Sequence, residues 1–185
     1  MDKIYEYQTK QYNYKIRDIG IFAILYLIFS IYKYVQDYTK YVYLIPIIIC
    51  IYIIWEDFIS LSNPKIIHIT DDYISFEAFN KKHLYKWEDI KKFKIKEFST
   101  AKKMYIRIND DTLLKGRYWV NCFYMNDRDE LYMWLRNKEM ELNPNSIKTQ
   151  TIKANEEDFK KRQELKAEKE RKKQENKTKD KKDIE

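Results

Sequence analysis

Glycine, cysteine and histidine are scarce in this sequence of 185 residues, which has two of each. Two glycines are too few for the glycine-rich loops that bind nucleotide phosphates, so such sites are excluded and the turns must be made by Asn and Asp. The two cysteines, Cys50 in an apolar run and Cys122 in a predicted strand, do not make a disulfide framework. His68 and His83 are isolated, with no Cys or His at the spacing of a metal site. We therefore expect no metal, no cofactor and no enzymatic activity.

The composition changes along the chain, so the mean hydropathy of −0.72 describes no part of it well. Residues 19–59 are mostly Ile, Tyr, Leu and Phe, residues 64–140 mix apolar and charged positions, and residues 148–185 are nearly all charged or amide. We predict four segments: an N-terminal cytoplasmic segment 1–17, a two-helix hairpin 18–59, a folded domain 64–140 and a charged tail 141–185.

Two apolar runs, 19–32 and 41–55, contain no charged residue. A transmembrane helix needs roughly 17–25 residues, so each run reaches spanning length only with its flanks. Lys33 and Lys40 allow this if their ammonium groups reach the headgroups while their stems stay buried. Neither run has a polar stripe at helical period, which argues against the alternative of a buried hairpin in a soluble protein. Aromatic residues that prefer the membrane interface cluster at the ends of the runs: Tyr14, Tyr34, Tyr38, Tyr41, Tyr43, Trp55 and Phe58.

The orientation follows from the basic residues in the short flanks. The N-terminal segment contains Lys3, Lys10, Lys15 and Arg17, whereas the connection at 36–40 contains one lysine. We therefore predict a cell-membrane protein with two spans, both termini in the cytoplasm and the connection outside. The middle of each run lacks ionisable residues, which disfavours a channel or carrier.

From Pro64 onward apolar residues recur at every second position, which is typical of strands with one buried face. Turn signals rich in Asn and Asp separate six or seven such runs. Residues predicted to share one face of their strand are Ile67 and Ile69; Ile74, Phe76 and Ala78; Tyr85 and Trp87; Phe93 and Ile95; Met104, Ile106 and Ile108; Tyr118, Val120, Cys122 and Tyr124.

A helical period follows the last strand. Asp127 and Glu130 have the spacing of a capping box, and Leu131, Trp134 and Leu135 fall on one helical face. Lys138 is the predicted end of the helix, and Pro144 prevents the helix from continuing. The predicted fold class is a membrane α-helical hairpin followed by a mainly-β domain of six or seven antiparallel strands plus one C-terminal helix.

Residues 64–138 resemble the bacterial pleckstrin-homology (PH)-like domains. The resemblance is carried by 67–74, by the segment Tyr85-Lys86-Trp87-Glu88-Asp89-Ile90, and by the final strand leading into 131–135. Two N-terminal spans followed by such a domain are similar to the YcxB-like membrane proteins of Gram-positive bacteria. The chain departs from that group where Lys115-Gly116-Arg117 replaces a Pro-basic pair before the last strand. The resemblance implies a PH-like fold and a membrane location, and no reaction.

Basic residues are dense in a domain that begins a few residues after the second span. The candidates for contact with a lipid surface are Lys81, Lys82, Lys91, Lys92, Lys94 and Lys96. Each basic side chain near anionic lipid contributes about 1 kcal/mol. The alternative is an ordinary solvated lysine surface.

The net charge of +7 suits either an anionic membrane surface or nucleic acid, and the predicted spans favour the membrane. The tail is expected to be largely disordered or helical, without a coiled-coil seam. The leading hypothesis is a non-enzymatic, cytoplasm-facing module that binds anionic lipid headgroups or a membrane or cytoplasmic protein partner, with no specific nucleic acid. The alternative is an immunity or resistance protein that protects the membrane against a secreted toxin or bacteriocin.

Overall fold

The computed structural model describes residues 2–37, 39 and 41–182. Tyr38 and Lys40, predicted at the start of the second span, and Ile184 of the tail lie outside the described residues. The chain divides into two compact units, residues 1–139 and residues 140–185. Its elements are β1 (Asp2–Glu6), α1 (Thr9–Gln36), α2 (Tyr41–Ile59), β2 (Ile66–Thr70), β3 (Tyr73–Ala78), β4 (Lys81–Lys86), β5 (Phe93–Phe98), β6 (Lys103–Ile108), β7 (Arg117–Asn121), α3 (Arg128–Leu142) and α4 (Ile147–Lys182).

Helices α1 and α2, of 28 and 19 residues, are long and apolar enough to cross a membrane, as the two apolar runs predict. Only 17% and 11% of their most apolar windows are buried inside the protein, which is unlike a core helix of a soluble domain. The two helices pack against each other. A Cβ added at Gly20, near the start of α1, would lie 2.4 Å from the ring of Phe58, near the end of α2. The missing side chain therefore lets the ring pack against the first helix.

The strands form two antiparallel sheets, one of four strands in the order β1-β2-β3-β4 and one of three in the order β5-β6-β7. Six strands lie in the predicted domain, 64–140. The seventh, β1, belongs to the N-terminal segment 1–17, so the prediction that this segment is separate from the domain is wrong. In β1, Asp2 pairs with Thr70 and Glu6 with Ile66. The backbone N–H of Asn126 also donates to the Glu6 carbonyl at 3.1 Å. The helical hairpin is thus an insertion between the first two strands of one sheet.

The core lies between the inner faces of the sheets and the buried face of α3. The inward positions predicted for β2, β3, β5, β6 and β7 are confirmed as far as Cys122, because those residues are at most 6% exposed. The alternation predicted beyond that is wrong, because β7 ends at Asn121 and a 3-10 turn follows, which leaves Tyr124 half-buried and Met125 buried. Tyr85 is also buried, but Trp87 follows the end of β4 in a short 3-10 helix rather than continuing the strand. Its indole N–H donates to the Thr70 carbonyl at 3.0 Å, and its ring lies 5.6 Å from that of Trp134.

Helix α3 begins one residue after Asp127, as the sequence predicts, but it continues past the predicted end at Lys138 to Leu142, two residues before Pro144. Leu131 and Leu135 are fully buried. Glu139, 7% exposed, accepts a 2.6 Å hydrogen bond from the backbone N–H of Ile95 in β5. Because β5 is an edge strand of its sheet, this carboxylate satisfies a backbone donor that no neighbouring strand can reach.

The second unit consists of the last residues of α3, a short turn and the helix α4. Ser146 stands at the start of α4 and its hydroxyl accepts a 3.1 Å hydrogen bond from the Thr149 backbone N–H, the geometry of a helix N-cap. The tail that we predicted to be disordered or helical is therefore helical from Ile147 to Lys182.

Candidate functional site

The ends of the two apolar helices are held to the sheets by short hydrogen bonds. The Tyr12 hydroxyl of α1 donates to the Asn63 carbonyl at 3.0 Å. The Lys81 ammonium of β4 donates to the Phe58 carbonyl at 3.1 Å, at the C-terminal end of α2. The Trp119 backbone N–H of β7 donates to the Ser62 carbonyl at 2.7 Å. The sheets are therefore positioned directly at the ends of the helices.

Three of the six predicted lipid-contact lysines are committed to partners within the protein. Lys81 contacts the last carbonyls of α2, where a cation is favoured by the helix dipole. Lys82 forms a 2.6 Å ion pair with Glu77 of β3, which raises the pKa of Lys82. Lys92 forms a 2.8 Å ion pair with Asp110, and this hydrogen bond lowers the pKa of the Asp110 carboxyl.

The other three candidates lie on or near the second sheet. Lys91 precedes β5, and its backbone N–H donates to the side-chain oxygen of Asn109 at 2.7 Å. Lys94 and Lys96 occupy exposed positions of β5, which alternate with the buried Phe93 and Ile95. The structure therefore separates Lys81 and Lys82, on β4 of the four-stranded sheet, from Lys94 and Lys96 on the three-stranded one.

The outward side of β5, β6 and β7 combines basic and aromatic residues, and we call it the basic–aromatic face. The cross-strand register pairs Lys94 with Arg107, Lys96 with Tyr105, and Tyr105 with Trp119. The residues of the basic–aromatic face are Lys94, Lys96, Phe98, Lys103, Tyr105, Arg107, Arg117 and Trp119.

The aromatic rings of this face form a contiguous group. The ring centroid of Trp119 lies 4.5 Å from that of Tyr105 and 5.8 Å from that of Phe98. The Lys103 ammonium lies 4.4 Å above the Trp119 ring, and the Lys96 ammonium 5.4 Å from the Phe98 ring. Cation–π contacts of this kind hold basic groups over the rings without neutralising their charge.

Lys94 and Lys96 are the predicted lipid-contact residues that lie on this face, and Lys103 and Arg117 also belong to the basic residues that the sequence places at strand ends. Arg107 and the three aromatic residues were not predicted. The signal was available, because the same alternation that places Ile106 inward places Tyr105 and Arg107 outward. What the sequence did not supply was the register that brings Trp119 beside Tyr105.

The face adjoins the end of the second apolar helix. Tyr52 and Trp55 of α2 line a small crevice together with Tyr105, Arg117 and Trp119. The Trp55 indole N–H points to the Leu113 carbonyl at 3.4 Å, in the loop between β6 and β7. The basic–aromatic face therefore begins at the level of the last turns of α2.

A buried polar network links the two sheets behind this surface. The Tyr118 hydroxyl lies 2.8 Å from His83 Nδ1 and 2.7 Å from the Tyr85 hydroxyl. Burial raises the pKa of both tyrosines, so the phenols remain protonated at neutral pH and act as hydrogen-bond partners rather than bases. Burial, together with Lys115 and Lys81, lowers the pKa of His83.

Neither cysteine is placed as an exposed nucleophile. Cys50 and Cys122 are free and buried, and burial raises the pKa of the Cys122 thiol to about 12. Within the part of the chain that the structure describes, no group of three His, Cys, Asp or Glu side chains could hold a metal ion.

The class of protein that these features define is a β-sheet domain joined to two candidate membrane helices. No protein-family model, curated protein or solved structure matches the chain. The resemblance to YcxB-like proteins therefore stays a prediction.

Proposed function

We propose that this protein is a non-enzymatic membrane-anchored module that rests on the anionic surface of the cytoplasmic leaflet through its basic–aromatic face. Helices α1 and α2 cross the membrane, and both termini lie in the cytoplasm. The surplus of basic residues in the N-terminal segment supports this orientation, since such residues are retained on the cytoplasmic side.

The observation that carries the proposal is the charge of the basic–aromatic face at the end of a span. Five basic side chains project from it: Lys94, Lys96, Lys103, Arg107 and Arg117. Among the described outward positions of these three strands, none is acidic. Three carboxylates adjoin the face. Asp111 pairs with Arg117 at 2.6 Å and offsets one charge. Asp110 is paired with Lys92, and Glu56 of α2 lines the crevice that contains Arg117. At about 1 kcal/mol for each remaining basic group, anionic lipid would attract the face by roughly 4 kcal/mol.

The aromatic residues of the face support a membrane surface over a solvated lysine surface. Tyr and Trp prefer the headgroup region, where their rings contact apolar groups and their polar atoms remain hydrated. Tyr105 and Trp119 share a crevice with Tyr52 and Trp55 of the proposed span. The proposal therefore assigns all four rings to one interfacial belt.

The domain that presents this face is proposed to be PH-like. Seven antiparallel strands in sheets of four and three, followed by a helix that buries Leu131 and Leu135 against them, are compatible with that fold. On this proposal the first strand is separated from the second by the membrane hairpin.

The orientation is tested by labelling intact cells with an impermeant maleimide. A cysteine at Thr39 should react, and one at Lys148 should react only after the cells are permeabilised. Labelling of Lys148→Cys but not Thr39→Cys in intact cells would contradict the proposed orientation.

Lipid contact is tested on the full chain, because the domain includes β1 and an excised 60–145 fragment lacks it. Amide hydrogen exchange of β5–β7 is compared in nanodiscs of zwitterionic lipid and in nanodiscs with added anionic lipid. We expect slower exchange with anionic lipid at low salt and loss of that difference as salt rises, because the attraction is screened.

Two matched variants locate the contact. The first replaces four residues of the face by Gln: Lys94, Lys96, Lys103 and Arg107. The second removes the same charge from the four-stranded sheet and the residue before β2, at Lys3, Lys65, Lys82 and Lys86. Only the first should abolish the lipid-dependent protection. If the second abolishes it, or if anionic lipid has no effect on the parent, the face does not bind lipid, and a protein partner becomes the better hypothesis.

A further inference from the structure

The loop between β6 and β7 presents two adjacent leucines outward. Leu113 is 68% exposed and Leu114 is 50% exposed. We call this pair the leucine tip.

The leucine tip is held by hydrogen bonds within its own loop. The Thr112 backbone N–H donates to the Lys115 carbonyl at 2.8 Å, and the Thr112 hydroxyl accepts from the Leu114 and Lys115 backbone N–H groups at 3.3 and 3.2 Å. Gly116 closes the loop with φ +91°, and a Cβ there would lie 2.8 Å from the Ile108 carbonyl oxygen. The loop is therefore a hydrogen-bonded turn with a defined conformation, which holds the two leucines at its apex.

The position of the loop along α2 sets the depth of the leucine tip. Trp55, whose indole N–H reaches the Leu113 carbonyl, lies four residues before the end of α2 at Ile59. Residues Trp55–Ile59 form a π-helical turn, so this contact lies at the start of the last turn of the helix. If α2 spans the bilayer, the leucine tip lies at the level of the headgroup region, beside an interfacial tryptophan.

We infer that the leucine tip inserts into the boundary between headgroups and acyl chains of the leaflet on which the domain rests. The inference depends on the proposed function, because it requires α2 to be a span. Exposed single leucines are ordinary, but these two are adjacent and fixed by their turn, and Leu113 lines the crevice that contains Tyr52 and Trp55 of the helix. Apolar side chains at that depth gain burial in the boundary, as those of interfacial helices do.

The arrangement gives the domain two different kinds of lipid contact. The basic–aromatic face meets headgroup charge and is sensitive to salt, whereas the leucine tip meets acyl chains and is not. Insertion should therefore persist in zwitterionic bilayers, which separates it from electrostatic attraction.

The test uses the full chain in proteoliposomes, in a Cys50→Ala, Cys122→Ala background. The environment-sensitive fluorophore NBD is attached to Leu113→Cys or Leu114→Cys, and lipids carrying a nitroxide near the headgroup serve as quenchers. Asp71→Cys, in the turn at the other end of β2 from the span, is the domain control. Ile48→Cys, exposed within α2, reports on the span itself.

We expect NBD at both positions of the leucine tip to emit at shorter wavelength than at Asp71 and to be quenched by the shallow nitroxide. Both effects should remain in zwitterionic lipid at high salt. Water-like, unquenched emission at the leucine tip, with Ile48 still reporting an apolar environment, would overturn the inference and leave the membrane anchor intact. Water-like emission at Ile48 as well would refute the proposed function, and the inference with it.

Discussion

The N-terminal strand offers the sharpest test of the fold, because its five residues precede both apolar helices in the chain and yet pair with β2, which follows those helices. Tyr5 in β1 is 1% exposed and pairs with Ile67 of β2, whereas its neighbour Ile4 is 59% exposed. Tyr5→Ala removes a fully buried aromatic ring, and the loss of its burial together with the resulting cavity costs about 3–5 kcal/mol. Ile4→Ala removes an exposed side chain and should cost less than about 0.5 kcal/mol.

The assay is thermal unfolding of the full chain in detergent, followed by near-ultraviolet circular dichroism of the domain aromatics. The β-domain, residues 2–6 and 66–139, has the size for which 1 kcal/mol shifts Tm by about 4–8 °C. Tyr5→Ala should therefore lower Tm by about 12 °C or more, and Ile4→Ala by no more than a few degrees. Equal, small shifts for Tyr5→Ala and Ile4→Ala would show that β1 is not an integral strand, and the insertion of the hairpin into the sheet would be refuted.

Three further predictions concern the helices and the half-buried His83. Gly20→Leu should weaken the association of α1 with α2, because the new side chain meets the Phe58 ring, and a second substitution, Phe58→Ala, should restore it. The measurement is protease resistance of the helical hairpin, and a Gly20→Leu variant as resistant as the parent would contradict this packing. Leu131→Asp should unfold the domain, since it buries an unpaired charge, whereas Met133→Asp, at a 47% exposed position of α3, should leave Tm nearly unchanged. In the folded state the pKa of His83 is lowered, so folding favours the neutral imidazole. The free energy of unfolding, measured by chemical denaturation, should therefore fall as the pH drops below about 6.5, the ordinary histidine pKa. His83→Gln should make this decrease with pH smaller.

The sequence by itself determined the elements whose signal is local. The apolar runs at 19–32 and 41–55 predicted two helices because an all-apolar helical surface needs no information from elsewhere in the chain. The alternation of Met104, Ile106 and Ile108 predicted a strand with one buried face for the same reason, and Asp127 and Pro144 bounded the helix between them.

The tertiary structure alone decided what depends on pairing over long distances. The register of β1 with β2 joins Asp2 to Thr70, and a five-residue strand with one buried side chain has no periodicity from which its partner could be read. Long-range pairing also decides whether each lysine forms an ion pair or remains exposed. Lys82 and Lys92 lie where the fold brings Glu77 and Asp110 within ion-pairing distance. Lys94 and Lys96 project beside Arg107 and Tyr105 because the register of β5 with β6 puts them there. A basic residue in the sequence has a charge, but only the fold determines whether that charge is paired with a neighbouring carboxylate or exposed at the surface of the domain.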